Sequence, residues 1–487
     1  MRKLIIIILA GLLLITLSTT LTTAKNNINF INNPNIKPIH ASTKLLHVIG
    51  KFADHNTLIT QNNKVYVWGA NYYGQLGLGD TNDRNTPTKN TQLEQLIQQN
   101  GGVNNILTLK TSWKHNVLVF KNGKVYVWGA NYYGQLGLGD TTNRNAPTKN
   151  TQLEQLIQEN GDANNILTLE TGHSYSILIF KNGKVYVWGY NEYGQLGIGD
   201  TTNRNTPTEN TKLEQIIQEN GGAENILTLK TGYAHNILIF KNGKVYVWGR
   251  NGYGQLGLGD NTNGKTPTEN TQLEQIIQEN GGADNILTLK TGWDHNILIF
   301  RNGKVYVWGR NEYGQLGLGD QGRRNTPTEN SQLEQIIQEN GGADNILTLK
   351  TGESHNILIF RNGKVYVWGY NEFGQLGLGD TNHRYTPTEN SELEQKIQDN
   401  GGSENILTLE TGYSYNILIF KNRKVYVWGR NNVGQLGLGD TTNRDTPTEN
   451  SKLEQLIQEN GGVFLGGDSS VASLIVVLLW LFSLIYI

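Results

Sequence analysis

Tryptophan recurs at Trp68, Trp128, Trp188, Trp248, Trp308, Trp368 and Trp428, sixty residues apart through seven copies. The heptapeptide GQLGLGD keeps the same step, beginning at Gly74, Gly134, Gly254, Gly314, Gly374 and Gly434, with GQLGIGD at Gly194. A period this regular means one supersecondary unit written seven times, and it limits the chain to a stacked array or a ring.

One unit, residues 284–343, can be read in order. The run around Ile286, Leu287 and Leu289 predicts a short strand, and residues 295–300 a second. Asn302-Gly303 predicts a tight hairpin with both residues at positive φ. A third strand follows, where Val305 and Val307 alternate with Tyr306 and Trp308. Gly314, Gly317 and Gly319 turn the chain back, and Pro327 marks a fourth, edge-like segment. Ser331 and Glu334 have capping-box spacing, and Leu333, Ile336 and Ile337 form one apolar stripe, so a short helix is expected, stopped at Asn340-Gly341-Gly342. A helix of two turns must pack on the sheet to persist.

Four short strands cannot bury both faces of their own sheet, so neighbouring units must stack. No polar capping repeat is visible, and the first unit, 45–100, already resembles the others. The expected fold is therefore all-β, a closed seven-bladed β-propeller of four-stranded blades with a short capped helix in each repeat, spanning residues 44–460.

The flanks read differently. Residues 1–24 have the basic start, apolar run and small-residue end of a signal peptide, and 25–43 form a polar, asparagine-rich linker. Residues 461–473 form a spacer and 474–487 a hydrophobic tail without a following Lys or Arg. This pattern predicts a GPI signal or a membrane anchor. Asn460 is the expected lipid attachment residue, with Gly466, Gly467, Asp468 and Ser469 as alternatives. The expected location is the secretory pathway, leading to the extracellular face of the plasma membrane or to secretion.

Net charge is -1, which supplies no field for steering onto nucleic acid, so no nucleic-acid partner is expected. The absence of cysteine removes disulfides, thiolate nucleophiles and Cys-ligated zinc. No Asn-x-Ser/Thr sequon is present, so N-glycans are not expected on the ring.

The stretch HNILIFRNGKVYVWGRNEYGQLGLGD, 295–320, resembles the repeats of the regulator of chromosome condensation family, and the likeness covers about residues 44–460. The resemblance implies a seven-bladed propeller. That family holds a nuclear exchange factor for the GTPase Ran, a plant UV-B photoreceptor and secreted bacterial inhibitors of hydrolases, so the fold does not name a function. Each unit here adds a capped helix. No unit has an insertion matching the exchange factor's β-wedge, because every copy keeps the sixty-residue spacing. At the positions of the photoreceptor's tryptophan-bearing loops this chain carries Ala53, Trp113, His173, Tyr233, Trp293, Glu353 and Tyr413, a mixed set.

GQLGLGD lacks a following Lys-Ser/Thr and opens no helix, so it reads as a structural turn. His55, His115, His235, His295 and His355 give way to Tyr175 and Tyr415, a swap that blade-to-blade hydrogen bonding tolerates and catalysis or metal binding does not. Asp140, Asn143 and Asn145 lack EF-hand spacing and read as a polar turn. No blade departs clearly in chemistry, so no enzyme, metal or cofactor is expected.

Variation concentrates in two loops. One carries Trp113, His173, Tyr233, Trp293, Glu353 and Tyr413; the other, after the WG, carries Ala70, Ala130, Tyr190, Arg250, Arg310, Tyr370 and Arg430. Both are expected at one end of the strands, as a ring of aromatics and arginines that binds a protein ligand. The alternatives are a lectin-like surface for glycans, a Ran-type exchange factor, and a tolerant surface drifting without a ligand.

Overall fold

The computed structural model describes residue 50 and residues 52–461. The expected leader, the linker, the tail and all of the spacer beyond Gly461 lie outside the described residues.

Blade 5 shows the pattern. Strands Ile286–Thr291, His295–Phe300, Val305–Gly309 and Arg324–Glu329 form an antiparallel sheet in chain order. Five other blades repeat it, and in blade 1 three strands are described: His55–Ile59, Val65–Gly69 and Arg84–Lys89. The first strands of successive blades touch and so face the axis. The second strand is buried along its whole length because a blade covers each of its faces, which is why HNILIF reads as a continuous apolar run. The fourth strand carries Pro327 at the outer edge, where a missing donor costs least.

The core lies between blades. Ile297, Ile299, Val305 and Val307 of blade 5 meet Leu349, Leu358, Phe360 and Trp368 of blade 6. Helix Ser331–Glu339 wedges Leu333 and Ile337 into this seam. The ring closes in the same way, with Leu58 and Trp68 of blade 1 packed on Ile417, Ile419, Val425 and Val427 of blade 7. Trp68 Nε1 donates to the Gln435 carbonyl at 3.0 Å. The close approach of backbones explains one glycine of the heptapeptide: at Gly314, φ 77°, a Cβ would stand 2.4 Å from Tyr385 Cα in the next blade.

Two local expectations change. The helix cap is Asn330, not Ser331. Asn330 Oδ1 accepts from Leu333 N at 2.9 Å while its Nδ2 donates to the Leu316 carbonyl at 2.8 Å, so the amide uses separate atoms to cap the helix and to hold the loop. Glu334 then reaches across to the sheet, where Oε1 accepts from Val305 N and Oε2 pairs with Lys304, both at 3.0 Å. In the hairpin only Gly303 has positive φ, 89°; Gly303 N donates to the Phe300 carbonyl at 3.0 Å, and Asn302 instead uses its amide to bind Asn280 Oδ1 at 2.8 Å.

Candidate functional site

Six of the seven seams carry a full polar rung. In blade 5, Trp308 Nε1 and Asn296 Nδ2 both donate to the Gln255 carbonyl of blade 4, at 3.0 and 2.9 Å. Asn296 Oδ1 lies 2.9 Å from His235 Nε2. The phenols do the same work: Tyr175 OH donates to Asn236 Oδ1 at 2.8 Å and Tyr415 OH to Asn56 Oδ1 at 2.7 Å. Burial pushes His355 down to about 4, so it sits in the seam as a neutral ring. Four of the recurrent histidines, His55, His235, His295 and His355, are thus interblade ties.

The polar turn is likewise occupied from within. Asp140 Oδ1 accepts from Asn131 Nδ2 at 3.0 Å and from Thr142 N at 2.9 Å, and Oδ2 pairs with Arg144 at 2.5 Å. The hydrogen bond from Arg144 leads in holding its carboxyl below the usual range. Among the described residues no group of three or more His, Asp or Glu could hold a metal ion, and no helix is long and apolar enough to cross a membrane.

The loops between first and second strands form a belt. His173 N donates to Tyr233 O (3.1 Å), Tyr233 N to Trp293 O (2.9 Å), Trp293 N to Glu353 O (2.9 Å), Glu353 N to Tyr413 O (3.1 Å) and Tyr413 N to Ala53 O (3.1 Å). The belt draws the rings together. Trp113 stacks on His173 with centroids 3.7 Å apart, and Tyr233 on Trp293 at 4.6 Å. His173 also touches Tyr233 and Trp293, and Trp293 meets Tyr413 and Phe52. The expected open circle of aromatics is therefore a self-packed cluster. His173 is 5% exposed and Tyr190, behind Tyr133, 7%, so neither offers contact surface.

The second set of loops sits at the same end. Arg250 lies over Tyr233 and Arg430 over Tyr413, at 5.4 Å in each case. Arg250 also holds Asp294 with both oxygens, at 3.1 and 2.8 Å, and Gln255 Nε2 donates to the same carboxylate at 2.7 Å. Asp294 is 1% exposed; burial raises its carboxyl to about 6 against the pull of Arg250. Arg430 stands 3.9 Å from Asp54, which burial also lifts to about 6. Arg310 pairs with Glu312 at 2.6 Å and covers Tyr253 and Tyr313. Burial lifts Glu353 to about 7, although Tyr413, Ser414 and Arg310 all favour its charge. Tyr370 packs on Tyr313 at 4.6 Å.

Sequence reasoning missed the carboxylates of half-buried Asp54 and buried Asp294, which sit directly before a recurrent histidine. It also missed a row of tyrosines, Tyr72, Tyr73, Tyr132, Tyr133 and Tyr190, in unbroken ring contact across blades 1 to 3. The signal was the ANYYG that only the first two copies carry. Tyr72 is 74% exposed, and Lys114 lies over Trp113 and Tyr73. Asn460, the expected lipid attachment residue, caps the last helix and helps close the ring: Nδ2 donates to Leu456 O at 2.8 Å and to Tyr66 OH at 3.3 Å, and Oδ1 accepts from Asn62 at 3.1 Å.

A family model described as the regulator of chromosome condensation (RCC1) repeat matches residues 62–118, 122–179, 182–238, 242–299, 302–359, 362–417 and 424–472. The ultraviolet-B receptor UVR8 of Arabidopsis thaliana is 28% identical over 410 residues, 84% of this chain and 82% of the receptor. The E3 ubiquitin-protein ligase HERC2 of Homo sapiens is 25% identical over 77% of this chain but only 7% of the ligase. Among solved structures, yeast RCC1 (Prp20) bound to Kap60 shares 18% identity and a TM-score of 0.59 over 86% of this chain and 90% of that one. Prp20p from Saccharomyces cerevisiae, described with its binding properties to Gsp1p and histones, gives 20% and 0.60 over 83% and 87%.

Proposed function

This chain belongs to the regulator of chromosome condensation (RCC1) repeat family, and on that premise we propose that it is a non-catalytic scaffold whose loop face binds a protein. One observation carries the reading: the two ends of the ring use their residues differently. At the helix end the repeated residues tie each helix to its own sheet, as Asn330, Glu334 and Lys304 show. At the loop end the copies diverge, and Arg250, Arg310 and Arg430 lie half-buried against aromatic rings, the residue types that dominate binding hot spots. The likeness to a propeller solved with Kap60, and to one described with Gsp1p and histones, supports a protein partner. The apolar tracts at 1–24 and 474–487 support export and a membrane tail, hence a partner met at the cell surface.

A glycan reading is favoured by one feature, the tyrosine row of blades 1 to 3, since stacked phenols suit sugar faces as well as peptide. The test is a photo-crosslinking residue placed in the full chain, displayed on cells, at position 310 or at position 335 on the helix side. The protein reading expects a covalent protein adduct at 310 and none at 335. Adducts at 335 alone would move the site to the other face. Retention on a glycan array without any protein adduct would replace the partner class, and nucleotide release from a GTPase would revive the exchange-factor alternative.

A further inference from the structure

Six of the seven seams share one rung, and the seam between blades 2 and 3 lacks it. At the other six an asparagine of the second strand accepts from the neighbouring His or Tyr: Asn56, Asn116, Asn236, Asn296, Asn356 and Asn416. Blade 3 has Ser176 instead. A serine is too short to span from His115 to the Gln135 carbonyl, and both ring nitrogens of His115 and the Ser176 hydroxyl are buried without a hydrogen-bond partner.

Two independent departures fall in the same seam, toward its helix end, while the missing rung lies nearer the loop end. Where helix hands over to the next blade, Gly102, Gly222, Gly282, Gly342 and Gly402 take positive φ and donate back to the helix carbonyls at 2.8–2.9 Å. Asp162 replaces that glycine at seam 2–3, lies at φ -179°, and makes no such bond. The core is leaner too: Val117 and Val119 face this seam where blades 3 to 7 present two isoleucines. A cleft between Lys124, Gln158 and Asp162 opens at its helix end. At the loop end, by contrast, Ser112 Oγ donates to the Gly172 carbonyl and Trp113 stacks on His173.

We propose that the ring is built with one weak interface, between blades 2 and 3, and that it opens there from the helix end while the Trp113–His173 stack holds the loop end. Helix Thr151–Glu159, wedged in that seam, is then the first to lose protection. The molecule supplies its own control, because TQLEQLIQE at 151–159 and TQLEQIIQE at 271–279 differ by one isomeric residue and so exchange at nearly the same intrinsic rate.

Amide hydrogen exchange of the full chain, read by mass spectrometry, tests this. Helix 151–159 is expected to exchange about tenfold faster than helix 271–279. Ser176→Asn, which restores the rung, is expected to bring the two within about twofold, and Asn296→Ser to make helix 271–279 fast in its turn. Equal rates for the two helices in the parent chain, or a Ser176→Asn variant with helix 151–159 still fast, would overturn the proposal.

Discussion

Seam and loop face are made by the same repeat, yet they obey different rules. In a seam, apart from that between blades 2 and 3, a side chain meets a copy of the residues that surround its own equivalents, so Trp68 and Trp308 find the same glutamine carbonyl at the same 3.0 Å. At the loop face, equivalent positions meet near the axis and must fit one another: Trp113 stacks on His173, Tyr233 on Trp293, and Glu353 lies beside Tyr413. Periodicity therefore fixes the interior and leaves the loop end free to specialise.

The sharpest way to break that contrast is to damage a seam. Trp308→Ala removes a fully buried indole and leaves the Gln255 carbonyl with one donor fewer. A loss of about 4 kcal/mol in denaturant unfolding is expected. A loss below about 1 kcal/mol would mean that the seams are not where the stability lies.

Arg250→Ala strikes the loop face where it most resembles a core. Asp294 would keep its burial and lose its cation, so a cost of about 3 kcal/mol is expected at pH 8. The sign with pH follows from the raised carboxyl. A group at about 6 in the folded ring, against 3.8, binds its proton more tightly when folded; its contribution is complete below 3.8 and is lost as pH rises through 6. Without Arg250 the carboxyl rises further, so the cost of the substitution shrinks as pH falls toward 5. A pH-independent cost would rule out a buried charge as its source.

Glu353 gives the same logic without an ion pair. Its carboxyl stands near 7 in the fold against 4.5, so stability that is present below 4.5 is lost as pH rises through 7. Glu353→Gln is expected to gain on the parent chain between pH 5 and pH 8, by on the order of 2 kcal/mol. Parallel stability curves for the two chains would refute it.

The propeller was legible because its signal is redundant: seven tryptophans, seven GQLG turns and an apolar second strand each imply blade stacking. The tie made by His235 and Asn296 was half legible, since the His-to-Tyr swaps pointed to blade contacts without naming the asparagine. The helix cap was misread by one residue because Ser331 matches the common cap pattern, and only the fold shows that Asn330 must also donate to Leu316. The loop face was legible as a location and not as an arrangement. Whether Tyr190 is buried or exposed depends on Tyr133 in the neighbouring blade, sixty residues from its own repeat partner, and no local pattern carries that.

The smallest expected effect on stability separates the two regions most cleanly. Tyr72 stands in the same repeat position as Tyr132, yet its ring is 74% exposed and touches only Tyr73 within the tyrosine row. Its removal deletes no core contact, so Tyr72→Ala is expected to shift unfolding by less than about 0.5 kcal/mol. An exposed aromatic ring at the end of a contiguous row is, however, the kind of group a partner buries, and truncating such an anchor typically weakens binding by about 2 kcal/mol, roughly thirtyfold. The measurement is the yield of the covalent adduct formed at position 310, compared between Tyr72→Ala and the parent chain at equal folded concentration. A drop without any change in unfolding assigns blades 1 to 3 to the binding surface. An unchanged yield confines the partner to the arginine-bearing blades 4, 5 and 7 and leaves the tyrosine row to pack against itself.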